Sequence, residues 1–288
     1  ITYDKEITPE QIQEKIENFE VVIVRSRTKI TKDMIDKATK CQIIARVGVG
    51  LDNIDQAAAK EKNIRVINAV EGAMNAVAEL VLGLMLSLAR EIPRADREVR
   101  NGNWIKKELM GTELRGKYLG IVGLGNIGKR LGRLARALNM NIIGYDVVPI
   151  DEEFSKEVGL MKADLGTLLA SSDYVSLHVP LLDSTKHLIN AEKMSTMKNT
   201  SRIINTSRGG VIDEEALYEF LKDGKLGGAA LDQLNRLHAD LRLRRAGMRR
   251  VPGMAVRLHP PAASRGQGCE RRSGRGLLGF LARLRARR

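Results

Sequence analysis

The sequence predicts an α/β protein in which two domains each contain a parallel β-sheet. Short apolar runs rich in β-branched residues alternate with helical patterns over residues 1–232, an order typical of βαβ units. One long helical pattern, from Ala76 to about Arg100, interrupts this alternation and predicts a connector between domains. The length of 288 residues also favours about two domains. We place the boundaries at 1–93, 94–258 and 259–288, the last being a tail.

The first α/β series occupies residues 1–74. Its three predicted strands are Glu20–Val24, Ile43–Val47 and Ile64–Ile67. The helical patterns that accompany them lie at Pro9–Phe19, Thr31–Thr39 and Asn53–Lys62. Compact apolar strands of this kind are typical of a parallel sheet that is buried on both faces. The series begins at Ile1 without an initiator methionine, so we expect the first domain to lack its start.

A second α/β series follows the connector. Its predicted strands are Lys117–Val122, Asn141–Tyr145, Tyr174–His178, Arg202–Asn205 and Gly227–Asp232. The helical patterns between them lie at Ile127–Leu138, Leu165–Ser171, Glu192–Met197 and Glu214–Leu221. Right-handed crossovers between such strands produce a Rossmann-type, doubly wound parallel sheet with helices on both faces.

The segment after Asp232, which ends in the tail at 259–288, does not continue this alternation of strands and helices. Residues 1–232 contain 33 basic and 33 acidic side chains, whereas residues 233–288 contain 15 Arg, no Lys and two acids. The whole net charge of +13 therefore lies in residues 233–288. Only a strand at Met254–Leu258 and a short basic amphipathic helix at Leu277–Leu284 are predicted there. A shifted reading frame explains the change to Arg alone, because out-of-frame GC-rich codons favour Arg. A genuine Arg-rich arm for nucleic acid is the alternative, which the single aromatic residue in the tail does not favour.

Composition limits the compartment and the class of protein. Cys41 and Cys269 are too few for a disulfide framework and lack the spacing of metal ligands, so we interpret both as packing residues in a reducing compartment. The longest apolar run, Leu80–Ala89, is shorter than the ~20 residues that a membrane span needs. No signal-peptide pattern is visible. We therefore expect a cytoplasmic protein with no metal site and no membrane partner.

The most specific motif is Gly120-Ile-Val-Gly123-Leu-Gly125-Asn-Ile-Gly128, which directly follows a predicted strand and opens a helix. In a dinucleotide-binding turn of this type, Gly123 permits the tight turn, Gly125 lets the backbone approach a pyrophosphate, and Gly128 lets the helix pack on the strand. Asp146 ends the next strand, 18 residues after Gly128, where an acid binds a ribose 2′-hydroxyl and repels a 2′-phosphate. The pattern therefore predicts a dinucleotide site that favours NAD over NADP. A glycine-rich turn in an ordinary α/β domain is the alternative.

Polar residues also follow the later strands, at the carboxyl edge where open α/β sheets bind ligands. Arg208 follows the strand Arg202–Asn205 within the segment Thr206–Gly210, and its guanidinium has the geometry to bind a carboxylate or a carbonyl oxygen. Asp232 ends the next strand. Taken singly, Arg208 can equally form a surface salt bridge and Asp232 can equally cap a helix.

Together these residues resemble a known family, the NAD-dependent D-2-hydroxyacid dehydrogenases. The segments that carry the resemblance are Val24–Ser26, Arg46–Asp55, Val77–Glu79, Trp104, Met110–Leu114, Gly123–Gly128, Leu177–Leu181, Asn205–Asp213 and Gly228–Asp232. Arg25, Arg46 and Met110–Glu113 are most similar to members that oxidise 3-phospho-D-glycerate to 3-phosphohydroxypyruvate in serine synthesis. The resemblance implies a flavodoxin-like α/β substrate domain beside the Rossmann-type domain, and a homodimer.

The resemblance also implies roles for individual residues. The residues implied to contact NAD are Gly123, Gly125, Asn126, Ile127, Gly128, Asp146, Val179, Pro180, Thr206, Ser207, Arg208 and Asp232. Arg208 is also implied to hold the substrate carboxylate and to polarise the C2 oxygen. The residues implied to bind the anionic ends of the substrate are Arg25, Arg46, Gly48, Val49, Gly50 and Lys106. Lys106 stands where the family often has Arg, so the charge is kept but the guanidinium fork is lost.

Proton transfer in the family needs a His as general acid and base, and a Glu that orients it. The chain departs from this pattern after Asp232. Leu237 stands near the position of the Glu, and the candidate His is His259, in Leu258-His259-Pro260-Pro261 in place of the family's Pro-His-x-Gly. We interpret His178 and His187, which lie in the cofactor domain, as structural.

Three functions therefore stay open from the sequence. The first is NAD-dependent oxidation of 3-phospho-D-glycerate, impaired in this chain if the tail is out of frame. The second is a related hydroxypyruvate or glyoxylate reductase, which also takes a small anionic 2-hydroxy or 2-oxo acid. The third is a non-catalytic NAD-binding protein with a basic nucleic-acid-binding arm.

Overall fold

A computed structural model describes residues 2–4, 6–69, 71–232 and 254–256 of the chain. The described residues form two compact units that divide between Met74 and Asn75. This division lies before the boundary predicted at residue 93, because the helix that follows residue 70 buries Val81 and Met85 in the core of the second unit. The predicted tail at 259–288, with its helical pattern and His259, lies outside the described residues.

The first unit contains a three-stranded parallel sheet in the order β1–β2–β3. The strands are β1 (Val21–Val24), β2 (Ile43–Arg46) and β3 (Arg65–Asn68). The helices are α1 (Pro9–Lys15), which a 3₁₀ turn at Ile16–Asn18 extends, α2 (Lys32–Lys37) and α3 (Gln56–Glu61). Each of these elements overlaps a segment predicted from the sequence.

Local sequence determines where these helices begin. The Thr8 hydroxyl accepts from the Gln11 N–H at 3.3 Å while the Gln11 side chain accepts from the Thr8 N–H at 3.0 Å, a capping box that starts α1. Asp55 caps α3 by accepting from the Ala58 N–H at 3.0 Å. The helices pack around Ile44 of β2, which is fully buried. Because the strands are parallel, the loops after β1 and β2 leave the sheet at one edge.

The second unit contains a seven-stranded sheet in the order β10–β9–β8–β7–β4–β5–β6, and all neighbouring strands are parallel. Its strands are β4 (Tyr118–Val122), β5 (Asn141–Tyr145), β6 (Leu160–Lys162), β7 (Tyr174–Leu177), β8 (Arg202–Asn205), β9 (Gly228–Leu231) and β10 (Met254–Val256). The chain proceeds outward in both directions from the adjacent pair β4 and β7. The topological switch point, where such sheets bind ligands, therefore lies between β4 and β7.

Helices cover both faces of this sheet. They are α4 (Glu71–Ala89), α5 (Ile92–Arg100), α6 (Asn126–Ala137), α7 (Glu152–Val158), α8 (Leu165–Ser171), α9 (Ala191–Ser195) and α10 (Glu214–Lys222). One apolar cluster joins α4, α6 and α7 to the sheet, and a second joins α8, α9 and α10 to it. The predicted Rossmann-type, doubly wound parallel sheet is confirmed. The edge strand β6 and the helix α7 are additional to the predicted elements.

The continuous helix predicted from Ala76 to Arg100 is wrong, because the chain forms two helices there. Glu91 separates α4 from α5 and has a left-handed backbone with φ of 51°. Pro93, in the first turn of α5, has no N–H to continue the helix, and its ring excludes the carbonyl group four residues earlier. That carbonyl belongs to Ala89, which instead accepts from the Thr112 N–H at 2.8 Å.

One apolar helix stands out in the described part of the chain. The segment Gly72–Ala89 of α4 has the length and the mean hydropathy, 1.7, of a membrane span, and 28% of it is buried. Its buried residues Ala78, Val81 and Met85 belong to the core of the second unit. Packing on one side of the sheet therefore accounts for the apolar character of that face of α4.

Candidate active site

The glycine loop connects β4 to α6. Gly123 has φ of +94°, and a β-carbon there would lie 2.8 Å from the carbonyl oxygen of His178. A β-carbon on Gly128 would overlap the carbonyl oxygen of Gly123. On Gly125, by contrast, a β-carbon would meet no atom within 4 Å. The first and third glycines are therefore required by the backbone, and the second leaves the backbone open to a ligand.

The N-terminus of α6 lies at this open position. Gly125 is the N-cap residue, no side chain caps the helix, and its first turn contains no acidic residue. The first N–H groups of a helix have no partner within the helix, and the helix dipole places partial positive charge there. These groups suit a pyrophosphate, which brings the negative charge and the acceptor oxygens that they lack.

Asp146 lies directly after β5 and is held against the glycine loop. Its Oδ2 accepts from the Leu124 N–H at 2.6 Å, and its Oδ1 accepts from the Val148 N–H at 3.2 Å. A carboxylate has acceptor capacity beyond these two bonds, so Asp146 can also bind a hydroxyl group. Its negative charge favours a ribose 2′-hydroxyl over a 2′-phosphate.

The end of β7 packs against the other side of the glycine loop. The His178 N–H donates to the carbonyl oxygen of Val122 at 2.8 Å, and Val179 Cγ1 lies 3.1 Å from the place that a β-carbon on Gly123 would occupy. Nε2 of His178 lies 2.9 Å from Oγ of Ser176, and burial lowers the pKa of His178 to about 4. His178 is therefore uncharged near neutrality, which fits the structural role expected for it.

Asn205, the last residue of β8, organises the loop that carries Thr206, Ser207 and Arg208. Its Oδ1 accepts from the Ser207 N–H at 3.0 Å and from the Ser207 hydroxyl at 2.8 Å. Its Nδ2 donates to the carbonyl oxygen of Arg208 at 2.9 Å. This role of Asn205 was not predicted from the sequence. The available signal was a polar residue directly after the apolar pair Ile203 and Ile204.

One hydroxyl group of this loop is unsatisfied. Within the described residues, Oγ1 of Thr206 is buried and has no hydrogen-bond partner. Buried polar groups are nearly always paired, so this atom indicates a place for a ligand group. The Asp232 N–H donates to the carbonyl oxygen of Asn205 at 3.0 Å, which places Asp232 beside the same loop.

The predicted cofactor residues therefore lie at one edge of one sheet. They follow β4, β5, β7, β8 and β9, on both sides of the switch point, and include Pro180 after β7. The open backbone at Gly125, the acid after β5 and the unpaired Thr206 hydroxyl all suit a dinucleotide such as NAD. The contacts of the individual residues with NAD stay predictions.

The first unit places the predicted substrate-binding residues at the carboxyl ends of β1 and β2. Arg25 directly follows β1 and is exposed, whereas Arg46 ends β2 and is only 9% exposed. Nη2 of Arg46 donates to Oγ of Ser26 at 3.1 Å. Gly48 has φ of +147°, and a β-carbon there would overlap the Arg46 guanidinium. The Arg46 guanidinium therefore occupies the space that a side chain at residue 48 would need, so glycine at this position keeps the guanidinium in place.

The loop after β2 is fastened from β3. The side-chain amide of Asn68 donates a short hydrogen bond to the carbonyl oxygen of Val49. This bond fixes the backbone of Gly48–Gly50 close to Arg46, and the combination of a guanidinium with backbone N–H groups suits an anion. Lys106 belongs to the second unit, where it is exposed on a 3₁₀ turn at Lys106–Glu108.

Comparison with known protein families gives one match that covers more than half of the chain. Residues 82–246 match the family described as D-isomer specific 2-hydroxyacid dehydrogenase, NAD binding domain. The match continues past Asp232, where the resemblance found in the sequence ends.

Two curated relatives have similar levels of identity. The chain is 48% identical to a D-3-phosphoglycerate dehydrogenase of Methanocaldococcus jannaschii over 227 residues, which are 78% of this chain and 43% of the relative. It is 47% identical to a hydroxypyruvate reductase of Thermotoga maritima over 232 residues, which are 79% of this chain and 74% of the relative. The chain thus spans about two fifths of the length of the phosphoglycerate dehydrogenases that it matches.

One solved structure has a fold similar to that of this chain. An acyclic imino acid reductase, Bsp5, in complex with NADPH and D-Arg, is 28% identical with a TM-score of 0.81 over 96% of this chain and 87% of the reductase. The family match and the curated relatives lead to one conclusion: the chain belongs to the D-isomer specific 2-hydroxyacid dehydrogenases and contains their NAD-binding domain.

Proposed function

We propose that the chain oxidises 3-phospho-D-glycerate to 3-phosphohydroxypyruvate with NAD. The observation that carries this proposal is the pair of arginines, Arg25 and Arg46, at one edge of the first unit beside the glycine loop Gly48–Gly50. A substrate with both a carboxylate and a phosphate needs several cationic and N–H donors. The relative in Methanocaldococcus jannaschii, a phosphoglycerate dehydrogenase, supports this choice.

In the proposed reaction the residues of the chain bind, orient and polarise the substrate. Arg208 binds the substrate carboxylate and draws electron density from the C2 oxygen, and Asn205 holds the backbone that carries Arg208. Arg25, Arg46 and the backbone of Gly48–Gly50 hold the anionic ends. Binding of this kind lowers the barrier by fixing the C2 hydrogen in a defined direction.

The N-terminus of α6, Asp146 and Thr206 hold the dinucleotide in this proposal. The chemistry that bound NAD would supply is acceptance of a hydride from C2, which would oxidise the substrate and reduce the cofactor. As the hydride leaves, the hydroxyl O–H bond breaks, the C2 carbonyl forms and the proton passes to a general base. We assign that base to His259, which lies outside the described residues. His178, whose pKa is about 4, is too weak a base for this role near neutrality.

A second candidate function is the reduction of hydroxypyruvate or glyoxylate. Lys106 favours it, because an ammonium group cannot form the paired hydrogen bonds that a guanidinium forms with phosphate. The relative in Thermotoga maritima, a hydroxypyruvate reductase, also supports it. The two candidates share the cofactor site and Arg208 and differ at C3, which carries a phosphate in phosphohydroxypyruvate and a hydroxyl group in hydroxypyruvate and is absent from glyoxylate.

An NADH-oxidation assay separates these functions. Phosphohydroxypyruvate, hydroxypyruvate and glyoxylate are each supplied over a range of concentrations, and kcat/KM is compared. We expect phosphohydroxypyruvate to give the highest value, with a steep dependence on salt because its phosphate is bound by charge. A higher value for an unphosphorylated acid establishes the second candidate. NADH binding without turnover of any of the three acids supports a non-catalytic protein, and binding of duplex DNA that weakens as salt rises then tests the nucleic-acid arm.

We also propose that the protein is a cytoplasmic homodimer that associates through the cofactor-binding unit. Large apolar side chains are exposed there, among them Val99, Trp104 and Met110, with exposed fractions of 55%, 80% and 84%. Exposed apolar patches commonly mark association sites. Light scattering measures the molar mass, and Trp104→Lys together with Met110→Lys is expected to shift it towards that of a single chain. A wild-type chain of 31.9 kDa in solution disproves the dimer.

A further inference from the structure

The loop that follows β1 carries Arg25 and Ser26, and it is held in place from the turn between β2 and α3. Nδ2 of Asn53 donates to the carbonyl oxygen of Arg25 at 3.1 Å and to that of Thr28 at 2.6 Å. The carbonyl oxygen of Asn53 accepts from the Ile30 N–H at 2.7 Å. A single residue thus fixes the loop 25–30 at three points. We call these three hydrogen bonds the Asn53 clamp.

The clamp links the two arginines that are proposed to bind the substrate. Arg25 lies within the clamped loop, and its own carbonyl group is one of the clamp's acceptors. Arg46 comes from β2, and its Nη2 donates to Oγ of Ser26 in the same loop at 3.1 Å. A displacement of the loop therefore moves the backbone of one arginine and the hydrogen-bond acceptor of the other.

The Asn53 side chain takes part in the clamp through its amide nitrogen alone, and the third hydrogen bond comes from the backbone carbonyl oxygen of Asn53. Both partners of Nδ2 are carbonyl oxygens, so the side chain must present its NH₂ group to them. Oδ1 of Asn53 is buried and has no partner among the described residues. Asp has a similar shape but no donor, and Leu has a similar shape but neither donor nor charge. The geometry therefore requires Asn at this position for its two N–H donors.

We propose that Asn53 is a positioning residue for substrate binding, acting through Arg25 and Arg46 without contacting the substrate. This inference rests on the proposed function. It predicts that loss of the clamp weakens binding of the anionic acid and leaves NADH binding unchanged, because the cofactor residues lie in the other unit.

The test compares Asn53→Leu with Asn141→Leu. Asn141 supplies a matched control, since its Nδ2 also donates to a backbone carbonyl, that of Gly116 at 3.0 Å, at an exposed position away from the site. Titration of the NAD-loaded chain with phosphohydroxypyruvate, a pair that cannot exchange a hydride because both are in the oxidised form, gives the affinity for the acid. Titration with NADH and unfolding in urea are measured on the same samples. Amide hydrogen exchange at Ile30 reports on the third hydrogen bond of the clamp, whose acceptor is the backbone carbonyl of residue 53 and which loosens if the loop moves.

We expect Asn53→Leu to weaken binding of phosphohydroxypyruvate about tenfold, to change NADH affinity less than about twofold and to speed exchange at Ile30. Asn141→Leu is expected to lower stability in urea and to leave both affinities unchanged. If Asn53→Leu does not fold, Asn53→Ser, which keeps one donor, replaces it and is expected to give a smaller loss in the same direction.

The inference is overturned if the Asn53 variant binds the acid as tightly as wild type. It is also overturned if both variants lose acid affinity in proportion to their loss of stability, because Asn53 is then only structural. A wild-type chain that binds NADH but none of the three acids refutes the proposed function itself, and this inference with it. That result is read from the wild type alone and is therefore distinct from failure of the clamp.

Discussion

Two of the three glycines in the loop between β4 and α6 are predicted to have different roles, one in packing and one in ligand binding. Substituting each of them with alanine tests this prediction. At Gly128 an added β-carbon overlaps the carbonyl oxygen of Gly123, which is backbone and cannot rotate away. The helix α6 must then move from β4 by about 1 Å to restore contact, and overpacking of this kind costs about 1–3 kcal/mol. We expect Gly128→Ala to lower the free energy of unfolding by this amount and to weaken NADH binding as well.

At Gly125 an added β-carbon meets no atom within 4 Å, and the backbone, with φ of −68°, is one that alanine adopts. Alanine is a poorer N-cap than glycine, so a loss below about 1 kcal/mol is expected. The β-carbon nevertheless lies where a pyrophosphate would approach the helix. We therefore expect Gly125→Ala to weaken NADH binding at least tenfold while the protein stays nearly as stable as wild type.

Urea unfolding followed by circular dichroism and NADH titration followed by fluorescence measure these two effects on the same samples. Gly83→Ala is the matched control, because Gly83 lies in α4 with no atom within 4 Å of its added β-carbon. In a helix interior this change is expected to stabilise by about 0.5–1 kcal/mol and to leave NADH binding unaltered. Equal stability losses in the Gly125 and Gly128 variants, or undiminished NADH affinity in Gly125→Ala, would falsify the reasoning.

Four further outcomes are expected. Asp146→Asn removes the negative charge that disfavours a 2′-phosphate. Parallel titrations should therefore show the ratio of NADP affinity to NAD affinity rising at least tenfold, or by about 1.4 kcal/mol. An unchanged ratio contradicts this role of Asp146. Burial raises the pKa of the Cys41 thiol, so a thiol reagent at pH 8 should modify Cys41 only after denaturant is added. Mass spectrometry of the peptide that contains Cys41 follows the modification. Rapid labelling of Cys41 in the native chain contradicts the burial of this thiol. Burial lowers the pKa of His178 from 6.5 to about 4, so between these two pH values the unfolded chain binds a proton at His178 that the native chain does not. The contribution of His178 to the free energy of unfolding is therefore complete above pH 6.5 and falls by about 3 kcal/mol as the pH drops towards 4. Urea unfolding at each pH measures this slope, and His178→Gln should flatten it. Finally, sequencing of the native transcript across the codon for Asp232 decides between the two origins of the Arg-rich tail: a shift in frame removes His259 as the proposed general base, and a transcript that encodes the tail in frame keeps it.

Much of the fold follows from the sequence because buried parallel strands have a local signature. Asn141–Tyr145, Arg202–Asn205 and Leu165–Ser171 were predicted with the same limits that the structure has. The strand β6 has only three residues, two of them exposed, so it carries no apolar run. Helix α7 was detectable in principle, because Asp151 caps its start and Gly159 ends it with φ of 64°.

The break between α4 and α5 was missed for a different reason. The apolar and charged pattern continues through residues 90–93 without interruption, and a proline in the first turn of a helix is favourable. Whether Pro93 starts a new helix or kinks an old one depends on what binds the carbonyl group that it releases. Here the Thr112 N–H binds Ala89, and the two residues are far apart in sequence.

The candidate site shows the same division between local and long-range information. The glycine loop and Asp146 form a spacing pattern that can be read along the chain. Asn53 and Asn205 have no such pattern, because their roles depend on which carbonyl groups and N–H groups the fold brings to them. Asn53 bonds to a loop 25 and 28 residues away, and only the parallel pairing of β1 with β2 makes that distance short.

Under the proposed function, one part of the chain supplies ligand binding and another supplies proton transfer, so the two can be measured separately. The residues proposed to hold the cofactor and the acid all lie before residue 233, in the part of the chain that carries equal numbers of basic and acidic side chains. The proposed general base, His259, lies beyond that point, in the segment that holds the entire net charge of +13. A chain that binds NADH and phosphohydroxypyruvate with ordinary affinity, but does not turn them over, therefore has its defect in proton transfer. A chain that binds neither NADH nor the acid is expected to be incompletely folded, and a chain that binds NADH alone refutes the proposed function.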